Sequence, residues 1–188
     1  MNLWMIPNMK RYVTFLVTSV VLLGGAHAAS YNFVVADKSS ITFQFKQMGV
    51  TADGRFKKFN AQVEVDTDKL AQANANIDID LASIDTGSKE ADQEAVGKAW
   101  FNAAAHPRAT FVLKSLTSAG AGQFEALGQL TIKGQTREVR APARLSPQGL
   151  LTGSFVMKRA DFGIGEGMWA KFDVVANEIT VKFSLSLK

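Results

Sequence analysis

The chain has 188 residues, 47% of them hydrophobic, with 21 Lys and Arg against 17 Asp and Glu and no cysteine. That length fits one domain with a substantial core, and the 13 Phe with only 20% charged residues exclude a disordered chain. Zero Cys excludes disulfides, thiolate metal sites, a cysteine nucleophile and a lipid anchor on cysteine.

Residues 1–28 carry no Asp or Glu. Lys10 and Arg11 precede a nearly unbroken apolar run over residues 12–23; Gly24 and Gly25 break it, and Ala26-His27-Ala28 offers a small-x-small cleavage site. This three-part layout predicts a secretory signal peptide over residues 1–28 and a single domain over 29–188. The run is too short to cross a hydrocarbon core of roughly 30 Å as a helix. Without Lys10 and Arg11, 19 basic residues face 17 acidic ones, so the exported chain is nearly neutral. Its cations are spread along the sequence, which together with export argues against a nucleic-acid partner.

From Ala29 onward the pattern has a period of two, the mark of half-buried strands. Ile41, Phe43 and Phe45 alternate with Thr42, Gln44 and Lys46. Similar alternation runs through residues 61–66, 77–82, 124–132, 139–145 and 179–188, and residues 31–36, 109–117 and 150–159 complete a set of about nine strands. Turn chemistry separates them at Ala52-Asp53-Gly54, Ala119-Gly120-Ala121-Gly122, Lys133-Gly134-Gln135 and Ser146-Pro147-Gln148-Gly149. Short turns imply antiparallel neighbours, and such a sheet must fold over or close to protect its edges. One stretch departs from this: Ser88 caps a short predicted helix running to Trp100, with Glu90 and Asp92 in its first turn and Gly97 weakening it. Such a helix could plug one end of a barrel.

The catalytic inventory is thin. Beyond residue 28 the chain holds one His, His106, which would have to serve a triad or a metal site alone. Asp78, Asp80 and Asp85 read as a solvated strand face. Gly163-Ile164-Gly165-Glu166-Gly167 does not join a parallel strand to a helix, so it fails the dinucleotide fingerprint and reads as a turn or a lid. No catalytic group and no metal site stands out.

The remaining signal is aromatic: 12 Phe, 2 Trp and 1 Tyr beyond residue 28. They would serve an ordinary core, or the wall of a barrel that holds one small ligand. Met48, Met157 and Met168 would suit a deformable apolar pocket.

Several pieces in order bring a family into view. They are residues 31–45; Met48-Gly49-Val50-Thr51-Ala52-Asp53-Gly54-Arg55-Phe56; Ser83-Ile84-Asp85-Thr86-Gly87; Trp100-Phe101-Asn102 with His106-Pro107-Arg108-Ala109-Thr110-Phe111; Gly128-Gln129-Leu130-Thr131-Ile132-Lys133-Gly134; and Arg159-Ala160-Asp161-Phe162-Gly163-Ile164-Gly165. Together they resemble the YceI-like family of bacterial periplasmic proteins. The resemblance implies an all-β fold with one short helix, an extended antiparallel lipocalin-like β-barrel around a long apolar channel. It implies binding of an amphiphilic isoprenoid lipid, a polyprenyl chain or an isoprenoid quinone, with no covalent cofactor and no enzymatic step. Lys38-Ser39-Ser40 and Gln47-Met48 stand where many members carry His, near the expected position of the ligand head.

On that basis the wall candidates are Phe43, Phe45, Phe56, Phe59, Phe111, Phe155, Phe162 and Trp169, with Met48; the mouth candidates are Gln47, Arg55, Arg159 and Asp161. A bulge between Phe56 and Phe59, spaced by three, could flip part of the wall list. The leading expectation is a periplasmic lipid carrier, open to homodimer formation. The alternatives are a quinone-presenting accessory to a membrane cytochrome of the b type, a lipid hydrolase or isomerase using Asp161 or Glu166, and a stress-induced barrel with a filled core.

Overall fold

Alternation of apolar and polar residues produces one curled antiparallel sheet of eleven strands. In chain order these are β1 (Ser30–Tyr31), β2 (Ser40–Gln47), β3 (Val50–Phe56), β4 (Phe59–Asp66), β5 (Asn74–Asp80), β6 (Ile84–Asp85), β7 (Arg108–Gly120), β8 (Gln123–Ile132), β9 (Gln135–Leu145), β10 (Leu150–Lys158) and β11 (Glu178–Ser186). The computed structural model describes residues 29–188; the expected signal peptide lies outside the described residues. The sheet order is β1-β4-β5-β7-β8-β9-β10-β11-β2-β3-β6, and the helix α1 spans Lys89–Val96.

Two differences from the sequence reading have physical causes. Of residues 31–36 only Tyr31 belongs to a strand; Val34 makes a single bridge to Leu187, and Ala36–Lys38 form a 3-10 turn. β3 reads Val-Thr-Ala-Asp-Gly-Arg-Phe, without apolar alternation, and is held by seven paired positions against β2.

β3 and β4 follow one another yet do not pair, so the sheet has a seam there. Two segments cross it. The N-terminal strap pairs with β4 at Tyr31 and then bonds the end of β11 through Val35 N–H to Ser186 O at 2.8 Å. At the other side, the 3-10 turn Leu81–Ser83 carries β5 across to β6, which pairs with β3. Ser83 is the rivet: its buried hydroxyl donates to Asp80 O at 2.6 Å and accepts from Lys58 N–H at 2.9 Å. This serves backbone groups that the unpaired seam would otherwise leave orphaned.

The tight hairpins follow from x-Gly dipeptides. Met48-Gly49 and Lys133-Gly134 both have positive φ at both positions, the twist that two-residue hairpins need. In α1, the Ser88 hydroxyl accepts from Ala91 N–H at 3.3 Å, and Gly97 ends the helix.

Three glycines inside strands each face a phenylalanine on the adjacent strand. A Cβ at Gly54, Gly128 or Gly153 would overlap the ring of Phe43, Phe111 or Phe183 respectively. The bare backbone lets each ring lie against the wall instead of standing into the barrel. Gly153→Ala is expected to cost about 1–3 kcal/mol by overpacking, because Pro142 O, at 2.6 Å from that Cβ, blocks retreat on the other side; urea denaturation measures it.

Candidate functional site

The inward faces of the strands do not meet. They enclose a cavity of about 610 Å³ that touches residues of both buried apolar clusters. One cluster centres on Val63, Val65, Phe124, Leu145, Leu185 and Leu187; the other centres on Leu81, Leu130, Ile132, Met157, Phe162 and Ile164. The cavity is therefore a channel running between them. Its size falls within the usual range for ligand sites, and its wall is almost wholly apolar.

Phe43, Phe45, Phe56, Phe111, Phe155 and Trp169 line this channel, as do Gln47 and Arg159. Phe43 stacks with Phe45 and Phe56 at 6.0 and 5.4 Å between ring centroids, and Phe56 meets Phe101 edge-on at 6.2 Å. Such contacts stiffen the wall without filling the lumen.

Five expected site residues lie elsewhere. Met48 sits on the β2–β3 turn, 77% exposed. Phe59 begins β4 and borders a second, shallow cleft at the seam; the spacing of three from Phe56 is a change of strand, not a bulge. Arg55 borders the same cleft and pairs outside the channel with Asp85 at 3.0 Å. Phe162 is buried but packs behind the wall, and Asp161 is exposed. The last two share a cause. Arg159–Phe162 is a 3-10 turn, where residues three apart share a face, so Arg159 and Phe162 turn inward and Asp161 outward.

Sequence reasoning missed several lining residues. Trp100, Phe101, Phe124 and Phe183 join the wall; Phe124 and Phe183 were already on apolar strand faces. Polar groups gather at one end only: Gln47, Thr86, Ser88, Glu90, Glu94 and Arg159. There α1 lies across the mouth, presenting Glu90, Ala91, Glu94 and Ala95 to the lumen. The helical spacing was legible; Glu90 had been assigned to the helix dipole alone, and Glu94 had been given no role.

Arg159 organises this end. It is 1% exposed, and no carboxylate among the described residues pairs with it. Its guanidinium donates to six backbone oxygens, of Ile164, Gly165, Trp169, Lys171, Val175 and Ala176, at 2.7 to 3.2 Å. Trp100 and Phe172 lie over it with centroids at 5.3 and 5.0 Å. Burial lowers its pKa from the ordinary arginine value, but arginine holds its proton in proteins, so the cation stays. Every N–H is engaged, so Arg159 positions the loop of residues 163–176 and has no donor left for a ligand.

Two further ties hold that loop. Trp169 Nε1 donates to Glu94 Oε1 of α1 at 2.8 Å, while the Trp169 ring packs on Trp100 at 5.5 Å. Lys133 Nζ donates to Gly163 O at 2.6 Å and to Glu166 Oε2 at 2.8 Å. The Lys133 ammonium holds the Glu166 carboxyl below its usual range. Trp100 Nε1 is occluded and has no hydrogen-bond partner among the described residues. No group of three or more His, Cys, Asp or Glu able to hold a metal is found among the described residues.

Arg159→Met is expected to destabilise the fold by at least about 3 kcal/mol, since several buried carbonyls lose their donors at ~1–3 kcal/mol each; denaturant melts measure it, with hydrogen exchange locating the loss in residues 163–176. The Glu166–Lys133 tie has the sign of a lowered carboxylate. Its contribution is present above the unfolded Glu pKa and is lost as pH falls through the lower folded value. Acidification below the ordinary carboxylate range should therefore loosen the Lys133–Glu166 tie, read as faster hydrogen exchange in residues 163–166 that Glu166→Gln already shows at neutral pH.

The comparisons agree with this architecture. The family model described as the YceI-like domain matches residues 33–187. The solved structure of Burkholderia cenocepacia BcnA is 39% identical, with TM-score 0.78, covering 81% of this chain and 98% of that one. A polyisoprenoid binding domain from Saccharophagus degradans is 17% identical, with TM-score 0.61 over 85% of this chain and 97% of its own, and shares the fold. A UPF0312 protein of Azotobacter vinelandii is 25% identical over 169 residues, 83% of this chain and 88% of its own length. A hollow antiparallel barrel with a helix across its mouth, matched by the family model along almost its whole described length, makes this chain a member of the YceI-like domain family.

Proposed function

We propose that this protein binds and carries an isoprenoid lipid whose chain fills the channel, with the head at the α1 end, and that it does so in the periplasm after removal of residues 1–28. The observation that carries the reading is the channel itself: a lumen of about 610 Å³ with apolar walls and polar groups at one end only. A lipid chain gains about 0.8 kcal/mol for each CH₂ taken from water, without directional contacts. The polyisoprenoid binding domain of Saccharophagus degradans shares the fold, which supports the same class of ligand here.

The mouth favours an uncharged head. Glu90 and Glu94 line it as carboxylates, and the one cation among the lining residues, Arg159, has its N–H groups committed to backbone oxygens. A phosphate would meet two like charges and no free donor from that arginine, whereas a quinone head carries no charge to repel. The ligand class is therefore an isoprenoid quinone before a polyprenyl phosphate, and the protein's part is binding rather than turnover.

Native mass spectrometry of protein purified from a bacterial periplasm without detergent should show one prenyl-chain molecule per chain, with a quinone head on extraction. Ala126 lines the channel between its cross-strand partners Leu116 and Ala141. Ala126→Phe should obstruct the lumen and lower lipid content at least about tenfold, equivalent to roughly 1.4 kcal/mol. Protein that stays empty after incubation with ubiquinone and with polyprenyl phosphate would overturn the reading.

A further inference from the structure

Five of the nine large apolar side chains left exposed among the described residues lie at the channel mouth: Met48, Val50, Met168, Phe172 and Val174. Met48 and Met168 are 77% and 86% exposed, and each is the chain neighbour of a residue that lines the channel, Gln47 and Trp169. They top two projecting segments, the β2–β3 turn and the 3-10 turn Gly167–Trp169. The β2–β3 hairpin is tied to the chain that follows the 3-10 turn, Met48 N–H donating to Val174 O at 2.7 Å and Ala176 N–H to Lys46 O at 2.9 Å. Apolar tips flanking an opening need a reason, because exposed apolar groups that gather in one place mark an interaction surface.

We infer that these tips dock the mouth onto a lipid bilayer, so that a membrane lipid passes into the channel without its chain crossing water. The inference rests on the carrier reading, since it assumes that the cargo comes from a membrane. Three observations choose a bilayer over a protein partner. The apolar groups stand on projecting turns, a shape suited to insertion between lipids rather than to a flat contact. The channel opens beside them, so the surface and the lumen form one apolar path. The flanking charges also fit. Lys46 and Lys171 are exposed, flank the tips in sequence and make no ion pair among the described residues, so their ammonium groups are free to meet lipid phosphates. Of the nearby acids, Glu166 is paired with Lys133, Glu90 and Glu94 line the lumen rather than the tips, and Asp173 accepts from Val174 N–H.

The test is flotation with vesicles of phosphatidylethanolamine containing a minority of phosphatidylglycerol and no prenyl lipid. It uses protein purified from the periplasm, its N-terminus fixed by intact mass. Wild type should float with the vesicles. M48E/M168E should lose at least about tenfold in partition, since burying a Met side chain is worth an order of magnitude or more. Phe33→Glu, an exposed apolar position on the N-terminal strap at the closed end of the channel, should float like wild type. Uptake of ubiquinone separates the steps: M48E/M168E should extract it from vesicles at least about tenfold more slowly, yet take it up normally from ethanol solution. Wild type that stays in the soluble fraction, or M48E/M168E that floats equally well, overturns the docking surface. A dimer in sedimentation that M48E/M168E dissolves assigns the tips to a second copy and also overturns it. Protein that floats but takes up no quinone from either source overturns the carrier reading and leaves the bilayer contact standing.

Discussion

A β-barrel can fill with its own side chains or enclose a ligand cavity, and here three phenylalanines that lie against the wall help keep the channel open. Phe43, Phe111 and Phe183 lie flat over Gly54, Gly128 and Gly153 on the neighbouring strands, where any Cβ would push them off. Each ring thereby becomes part of the wall. The apolar surface that folding requires is still gathered, but along the barrel's inner lining rather than at its axis. The cluster under the N-terminal strap then closes one end of the tube, and the other surrounds the end that opens at α1.

The second constraint is electrostatic. A buried guanidinium without a carboxylate partner is costly, and a complete set of backbone acceptors is what makes it tolerable. Arg159 meets six of them, drawn from the loop that borders the mouth. The same residue thus sets the loop's shape, places Trp169 against α1, and leaves the mouth with a cation that has no donor to offer. Gly165 completes the arrangement. It has φ of +81°, and a Cβ there would collide with the Arg159 guanidinium. Loop conformation, and with it the proposed preference for an uncharged head, therefore follows from one buried charge.

Much of this was legible in the residues. Alternation placed Phe43, Phe45, Phe111 and Phe155 on inward faces because a strand has an unambiguous period of two. The helix from Ser88 was legible from its cap and its alanine spacing. What failed was everything that depends on a change of period. Arg159 and Asp161, two apart, look like partners on a strand, but the chain turns 3-10 at that point and sends them to opposite sides. Phe56 and Phe59 look like a bulge because the break at Lys57-Lys58 carries no Gly or Pro to announce a new strand. Met48 was counted with the wall on apolarity alone, although Met48-Gly49 between two alternating stretches is itself a hairpin signal that puts the side chain outside. The loop of residues 163–176 has no period at all, and its fold follows from a long-range set of carbonyls gathered by one arginine.

The asymmetry of the channel fixes how a lipid must travel. Its polar residues lie only at the α1 end, and its far end is closed by the apolar cluster under the N-terminal strap. A lipid with a polar head must then lie with its chain inward and its head at the mouth, so its chain goes in first. In a bilayer the orientation is opposed: heads face water and chains lie beneath them. A carrier resting on the head-group layer would meet the wrong end of its cargo. One whose rim reaches past the heads presents its apolar lumen directly to the chains, and the lipid can slide from one hydrocarbon environment to another while its head remains at the wet boundary. A rim of exposed methionines on two turns, with lysines near them in sequence that make no ion pair among the described residues, suits the path proposed.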